Sequence, residues 1–153
     1  MTEKIPVFGE KLDSVDYQAR FGVYGIVSRL TADKNEEFCL VQAPNGSFLL
    51  PGGEIESGEN QEAALKRELL EELGADCQLG DYLGEADEYF YSSHRDKYFY
   101  NPAYIYEMKN VDFAHEPLEE GNGIFWFPFD EAIAKLKRGS HKWGLEEYKK
   151  RAH

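Results

Sequence analysis

The chain has 153 residues, 42% of them hydrophobic, with ten Tyr, ten Phe and two Trp, which suffices for one domain with a proper core and excludes a disordered chain. Its formal net charge of −12 argues against nucleic acid as a partner, since no basic stripe exists to release counterions from a phosphate backbone. A negatively charged small substrate stays compatible with that charge where metal ions screen the site locally.

In chain order, the opening MTEKIPVFGEKL lacks the apolar core of a signal peptide. No run approaches the ~18 apolar residues of a membrane span, so no membrane partner is expected. RFGVYGIVSRL (20–30) and EFCLVQA (37–43) are β-rich runs joined by the polar TADKNE, which predicts a hairpin. Asn45-Gly46 and Pro51-Gly52-Gly53 are turn signals. Cys39 and Cys77 have neither metal-ligand spacing nor a disulfide framework and read as reduced thiols of a cytoplasmic protein.

A helix is predicted from about Asn60, an N-cap residue, to Leu73, with Gly74 where a left-handed C-terminal cap belongs. Leu65, Leu69 and Leu73 form an apolar stripe, with Ala63 and Leu70 further round. Glu68, Glu71 and Glu72 share a second face, three and four residues apart. On a solvated face such like charges cost only about 0.2–0.5 kcal/mol per pair. In a groove at an effective dielectric near 20, two carboxylates about 5 Å apart repel by roughly 3 kcal/mol. Packing on more than one side puts the acidic face in a groove between helix and sheet, so something positive has to sit among the glutamates.

Downstream, DEYFYSSHRDKYFYNPAYIYEM is nearly mirror-symmetric. Pairing Tyr89-Phe90-Tyr91 with Tyr98-Phe99-Tyr100 leaves Ser93–Asp96 as a four-residue hairpin loop. GIFWFPF (123–129) reads as another strand, and residues 130–139 and 141–151 as two short amphipathic helices. His141 and Trp143 read as a helix start and its docking anchor. Nothing along the chain marks a linker or repeat, so residues 1–153 are expected to form one domain of mixed α/β class.

The segment GEIESGENQEAALKRELLEELGA, Gly53 to Ala75, explains the clustered glutamates. Gly53 is followed after five residues by Glu59, after seven more by Arg67-Glu68-Leu69, then by Glu71-Glu72 and by Gly74-Ala75. This spacing resembles the box of the Nudix (MutT-like) hydrolases, with all seven invariant-type positions filled; at roughly 6% per residue type, chance alone gives it about once in 10⁹ windows. Ala75 stands where the family usually has a larger aliphatic residue.

The resemblance implies a Nudix-type α/β/α sandwich with a mixed β-sheet. It also implies a pyrophosphohydrolase using Mg²⁺ or Mn²⁺ to cleave the diphosphate linkage of a nucleoside diphosphate joined to another group, a dinucleoside polyphosphate being one such substrate. A nucleotide-pool sanitising triphosphate pyrophosphatase and a catalytically silent nucleotide sensor are the alternatives, and intact box carboxylates favour an enzyme. Glu68, Glu71, Glu72 and the Gly52 carbonyl are the implied metal ligands, a donor set that suits a hard cation. Glu68 is the implied general base, with Glu120, six residues before Trp126, as a further catalytic candidate and Glu119 as its rival. Gly53, Glu59, Arg67 and Gly74 are implied to support the box, Arg67 pairing with Glu59. Substrate contacts are expected from Arg20, from Gln42 at the end of the second strand and from Tyr91 as a stacking face. His94, Arg95 and Lys97 read as a solvated turn. Dimers are frequent in the family, so a homodimer is one expected assembly.

Overall fold

Strand segments of this chain alternate their side chains between two apolar layers, and that alternation sets the architecture. The computed structural model describes residues 4–118 and 123–151. The elements in order are β1 (Val7–Phe8), β2 (Gln18–Ala19), β3 (Gly22–Ile26), β4 (Ser28–Leu30), β5 (Glu36–Gln42), β6 (Phe48–Leu49), β7 (Gly52–Glu54), α1 (Gln61–Leu73), β8 (Asp76–Ser92), β9 (Lys97–Asp112), β10 (Gly123–Pro128), α2 (Phe129–Lys135) and α3 (Gly139–Arg151). Among the described residues, one mixed sheet runs β1-β8-β9-β3-β7 with β2 also on β9, and a second runs β10-β5-β4 with β6 on β5.

The period-two rule assigns each strand residue to a layer. Val23, Cys39 and Val41 face α1, packing with its Leu65, Leu69 and Leu73. Tyr24, Phe38 and Leu40 face the other way, against Ala132 and Leu136 around α2 and Leu145 and Tyr148 of α3. Helix α1 thus covers one side of the sheets and α2 with α3 the other. The result is an α/β/α sandwich with a mixed sheet.

Helix α1 begins and ends as its sequence demands. The Asn60 side chain accepts the Ala63 N–H at 2.8 Å, and Gly74 adopts φ +66 with its N–H on the Leu70 carbonyl. A Cβ at Gly74 would stand 2.0 Å from the His115 carbonyl oxygen, so glycine is required there twice over. Ala64, and not Ala63, is the buried alanine of this helix.

Two expectations are corrected. Residues 20–30 are not one strand: β3 pairs with β9 and β7, and only Ser28–Leu30 forms the antiparallel pairing with β5. The change occurs at Val27, whose carbonyl takes the Cys39 N–H while Gly25 N–H goes to Pro51 O. Pro51-Gly52-Gly53 is no turn; Gly52 and Gly53 open β7, with Gly52 at φ +144 and pressed on the Val23 carbonyl, where a Cβ would come within 2.1 Å. Residues 76–86 form the first half of β8, although no clean alternation announces it. Irregularities between Asp76 and Gln78, Leu79 and Tyr82, and Tyr82 and Gly84 shift the facing of its side chains. The aromatic hairpin has the expected register, Tyr89 opposite Tyr100, Phe90 opposite Phe99 and Tyr91 opposite Tyr98.

Candidate active site

The acidic face of α1 meets the start of β7, and the meeting is made by backbone. Gly52 N–H donates to Glu72 Oε1 at 2.7 Å, and Glu72 is only 8% exposed. Next to it, Glu68 fills the space a side chain at Gly53 would need: a Cβ there would lie 2.6 Å from the Glu68 carboxylate. Glu71 completes the face at 30% side-chain exposure, against 12% for Glu68. Two glycines in sequence therefore let two carboxylates reach the strand end.

The positive group among them is Arg67. Its Nε and Nη2 donate to the two oxygens of Glu59 at 2.6 and 3.0 Å, a bidentate fork. Nη2 also reaches the Glu54 carbonyl at 3.0 Å, and Nη1 donates to Glu68 Oε1 at 3.0 Å and Glu71 Oε2 at 3.3 Å. These hydrogen bonds hold the Glu59 carboxyl below its ordinary range and the Arg67 guanidinium above its own. One guanidinium thus ties the loop before α1 to two of the helix glutamates.

The donor set is all oxygen and suits a hard divalent cation such as Mg²⁺. Among the described residues, no three His, Cys, Asp or Glu side chains converge on one point at ligand distance. Glu68 and Glu71 are turned toward Arg67, which occupies the position of counter-charge. Glu120 and Glu119 lie outside the described residues. Burial pushes the Cys39 thiol up to about 12 and raises that of Cys77 as well, so neither offers a thiolate nucleophile.

A second feature lies on the far side of the sheet from α1. Phe90 and Phe99 pair across the hairpin at 5.6 Å between ring centroids. Arg138 lies over Phe90 at 3.8 Å, and Arg20 and Arg95 approach Phe99 at 5.8 and 5.9 Å. Three guanidinium groups of a chain with net charge −12 therefore gather on one aromatic pair. Beside them opens a pocket of about 230 Å³ whose lining includes Ala43, Leu49, Phe90, Tyr91, His94 and Arg138. Arg20 also stands 3.9 Å from Glu54 at the edge of the box.

Of the expected substrate contacts, Arg20 lies over Phe99 and beside Glu54, and is not among the residues that line the pocket. Gln42 is engaged elsewhere, its Nε2 on the Gly46 carbonyl at 3.1 Å closing the β5–β6 turn. Tyr91 borders the pocket, yet its ring packs on Tyr98 and its hydroxyl donates to Asp96, a bond that raises its pKa. Arg95 reads in the sequence as part of a solvated turn and Arg138 carries no local signal, because their approach to one aromatic pair joins a loop and a helix connection 43 residues apart. The mirror-symmetric hairpin, which sets Phe90 against Phe99, was the one signal pointing toward them.

The comparisons with known proteins agree with this geometry. The NUDIX domain family model matches residues 22–147. The solution structure of the E. coli ORF135 protein superposes with a TM-score of 0.66 at 21% identity, covering 90% of this chain and 94% of that one. A NUDIX hydrolase from Nitrosomonas europaea gives 0.63 at 21% identity over 87% and 90% of the two chains. The Ap4A hydrolase of C. elegans in a binary complex gives 0.61 at 16% identity over 86% and 96%. At these identities the likeness is one of fold. Among curated relatives, "Putative 8-oxo-dGTP diphosphatase 2" of Mycobacterium tuberculosis is 51% identical over 43 residues, 26% of this chain, so the match spans about 30% of that relative's length. With the match covering most of its length, and with the box glutamates and glycines meeting as described, this chain belongs to the NUDIX domain family.

Proposed function

We propose that the protein is a divalent-metal-dependent hydrolase that cleaves the diphosphate linkage of a nucleoside diphosphate joined to another group. The observation carrying this reading is the meeting of Glu68 and Glu72 with the Gly52–Gly53 backbone, next to a separate cleft of arginines on an aromatic pair. Glu68, Glu71, Glu72 and the Gly52 carbonyl would hold the metal, with Glu120 as a further acid. Bound Mg²⁺ or Mn²⁺ would supply neutralisation of the phosphoryl oxygens and a more acidic water. Glu68, packed against Gly53, would accept the proton of an attacking water on a carboxylate oxygen. Arg67 holds the loop before α1 in place while the carboxylates act. Arg20, between Glu54 and Phe99, would suit a phosphate there, and Phe90 with Arg138 would offer a face to a base.

A nucleoside triphosphate pyrophosphatase is the second reading, favoured by the short match to the M. tuberculosis relative. A panel of nucleoside triphosphates, dinucleoside polyphosphates and nucleotide sugars, assayed with Mg²⁺ and with products identified by mass, separates the two. The expected products contain a nucleoside monophosphate, and no turnover across the panel would refute the reading. Glu72→Gln keeps an acceptor for the Gly52 N–H but removes the charge. It is expected to cost about 10²–10⁴ in rate with an unchanged melting temperature. Turnover near that of the parent would remove Glu72 from the ligand set.

A further inference from the structure

We propose that His141 is a positioning residue for the strand end that carries Gly52 and Gly53, acting through the Leu50 amide. The proposal rests on the reading above, in which the Gly52 carbonyl and Glu72 belong to the metal site. His141 lies in the first turn of α3 and is fully buried. Its Nδ1 accepts the N–H of Leu50, 91 residues away, at 3.0 Å. Leu50 is itself 2% exposed and falls between β6 and β7, where no ladder supplies an acceptor. A buried amide in that place needs one.

The hold at Leu50 belongs to a series along the segment. Lys137 N–H donates to the Phe48 carbonyl at 3.1 Å, Gly25 N–H to the Pro51 carbonyl at 2.9 Å, and Gly52 N–H to Glu72 Oε1 at 2.7 Å. His141 fills the gap between the first and second of these. The imidazole is fixed in turn. Its ring packs on Tyr24 at 4.3 Å between centroids, and the preceding Ser140 gives both N–H and hydroxyl to Glu88 Oε1, at 3.0 and 2.8 Å.

Two features separate this from ordinary packing. Accepting at Nδ1 requires the neutral ring with its proton on Nε2. That Nε2 is buried with no hydrogen-bond partner among the described residues. A leucine would fill the same space without an orphaned donor. The imidazole costs one unpaired N–H and returns one acceptor, and that acceptor is aimed at the residue two before Gly52.

The test compares His141→Leu, which lacks the acceptor, with His141→Asn, whose side-chain oxygen can stand near the Nδ1 position. Assays are run well below both melting temperatures, with Mg²⁺ and the best substrate of the panel. In His141→Leu, amide exchange at Leu50 and Gly52 should quicken about tenfold more than at Leu145 of α3. Its kcat should fall roughly tenfold with KM within about twofold, and half-maximal activation should need more Mg²⁺. His141→Asn should recover most of both effects. If His141→Leu does not fold, His141→Ser, whose hydroxyl falls short of the Leu50 amide, takes its place. Equal change at Leu50, Gly52 and Leu145, or equal loss in the Leu and Asn variants, would overturn the proposal. Absence of Mg²⁺-dependent hydrolysis in the unmodified protein, with the selective exchange at Leu50 and Gly52 still seen, would strike the reaction alone and leave the clamp standing.

Discussion

At the residue scale, the two neighbouring glycines of the box carry different constraints. Gly52 has φ +144, and a Cβ there would meet backbone at 2.1 Å, so a side chain cannot enter without moving β3. Gly53 has room in the backbone; its Cβ would meet the flexible end of Glu68 at 2.6 Å. Gly53→Ala is therefore expected to fold with stability within about 1 kcal/mol of the parent while displacing the Glu68 carboxylate. Its kcat/KM should drop by about 10–100-fold. Urea denaturation beside steady-state kinetics checks this, and equal retention of both would show that Glu68 does not need the space.

At the element scale, α1 is the part whose limits follow from its own residues. Asn60 at the start and Gly74 at the end close it with side-chain and backbone bonds. The C-terminal cap does more than stop the helix. The Gly74 carbonyl accepts the His115 N–H at 3.0 Å, and the Glu71 carbonyl accepts the Leu118 N–H at 2.9 Å. The loop after β9 is thus docked on the last turn of α1. Gly74→Ala adds left-handed strain of about 1 kcal/mol to a clash with the His115 carbonyl, so a loss of more than about 2 kcal/mol is expected. Chemical denaturation reads it directly; a loss below about 1 kcal/mol would mean that the loop yields at no cost.

At the scale of the whole molecule, two linkages tie stability to solution conditions. A divalent cation among Glu68, Glu71 and Glu72 binds the folded chain preferentially, so Mg²⁺ should raise the melting temperature. The double substitution Glu68→Gln with Glu71→Gln should abolish that increment, and an increment that survives it would place the ions elsewhere. The second linkage lies on the sheet between β8 and β9. Tyr100 donates to Asp87 Oδ2 at 2.8 Å, while the buried Oδ1 lacks a donor among the described residues. Burial, then hydrogen bonding and repulsion with Asp87, push the neighbouring Glu85 carboxyl up to about 7. A carboxyl raised on folding stabilises fully below its unfolded pKa of about 4.3 and loses that contribution as pH rises through about 7. The melting temperature should accordingly fall as pH rises from about 4.3 to about 7 in the parent and fall less in Glu85→Gln. Parallel curves for the two would show that Glu85 titrates without perturbation.

The sequence by itself determined the elements whose signals are local and the chemistry whose spacing is short. Asn60, Gly74 and the leucine stripe delimit α1, the mirror-symmetric aromatics set the hairpin register, and the box residues from Gly53 to Ala75 identify the family, because each depends on neighbours within one element. What lies between elements was not legible. The switch at Val27 from one sheet to the other depends on which strand edge is free, and β8 is hidden by its irregularities. Gly52 and Gly53 read locally as a turn, yet the approach of Val23 on one side and Glu68 on the other makes them a strand. The gathering of Arg20, Arg95 and Arg138 on Phe90 and Phe99, and the reach of His141 to Leu50, exist only once distant segments pack. Helix caps and short hairpins are satisfied by bonds within a few residues, whereas a buried amide or an arginine cleft takes its partners from whatever the chain brings alongside it.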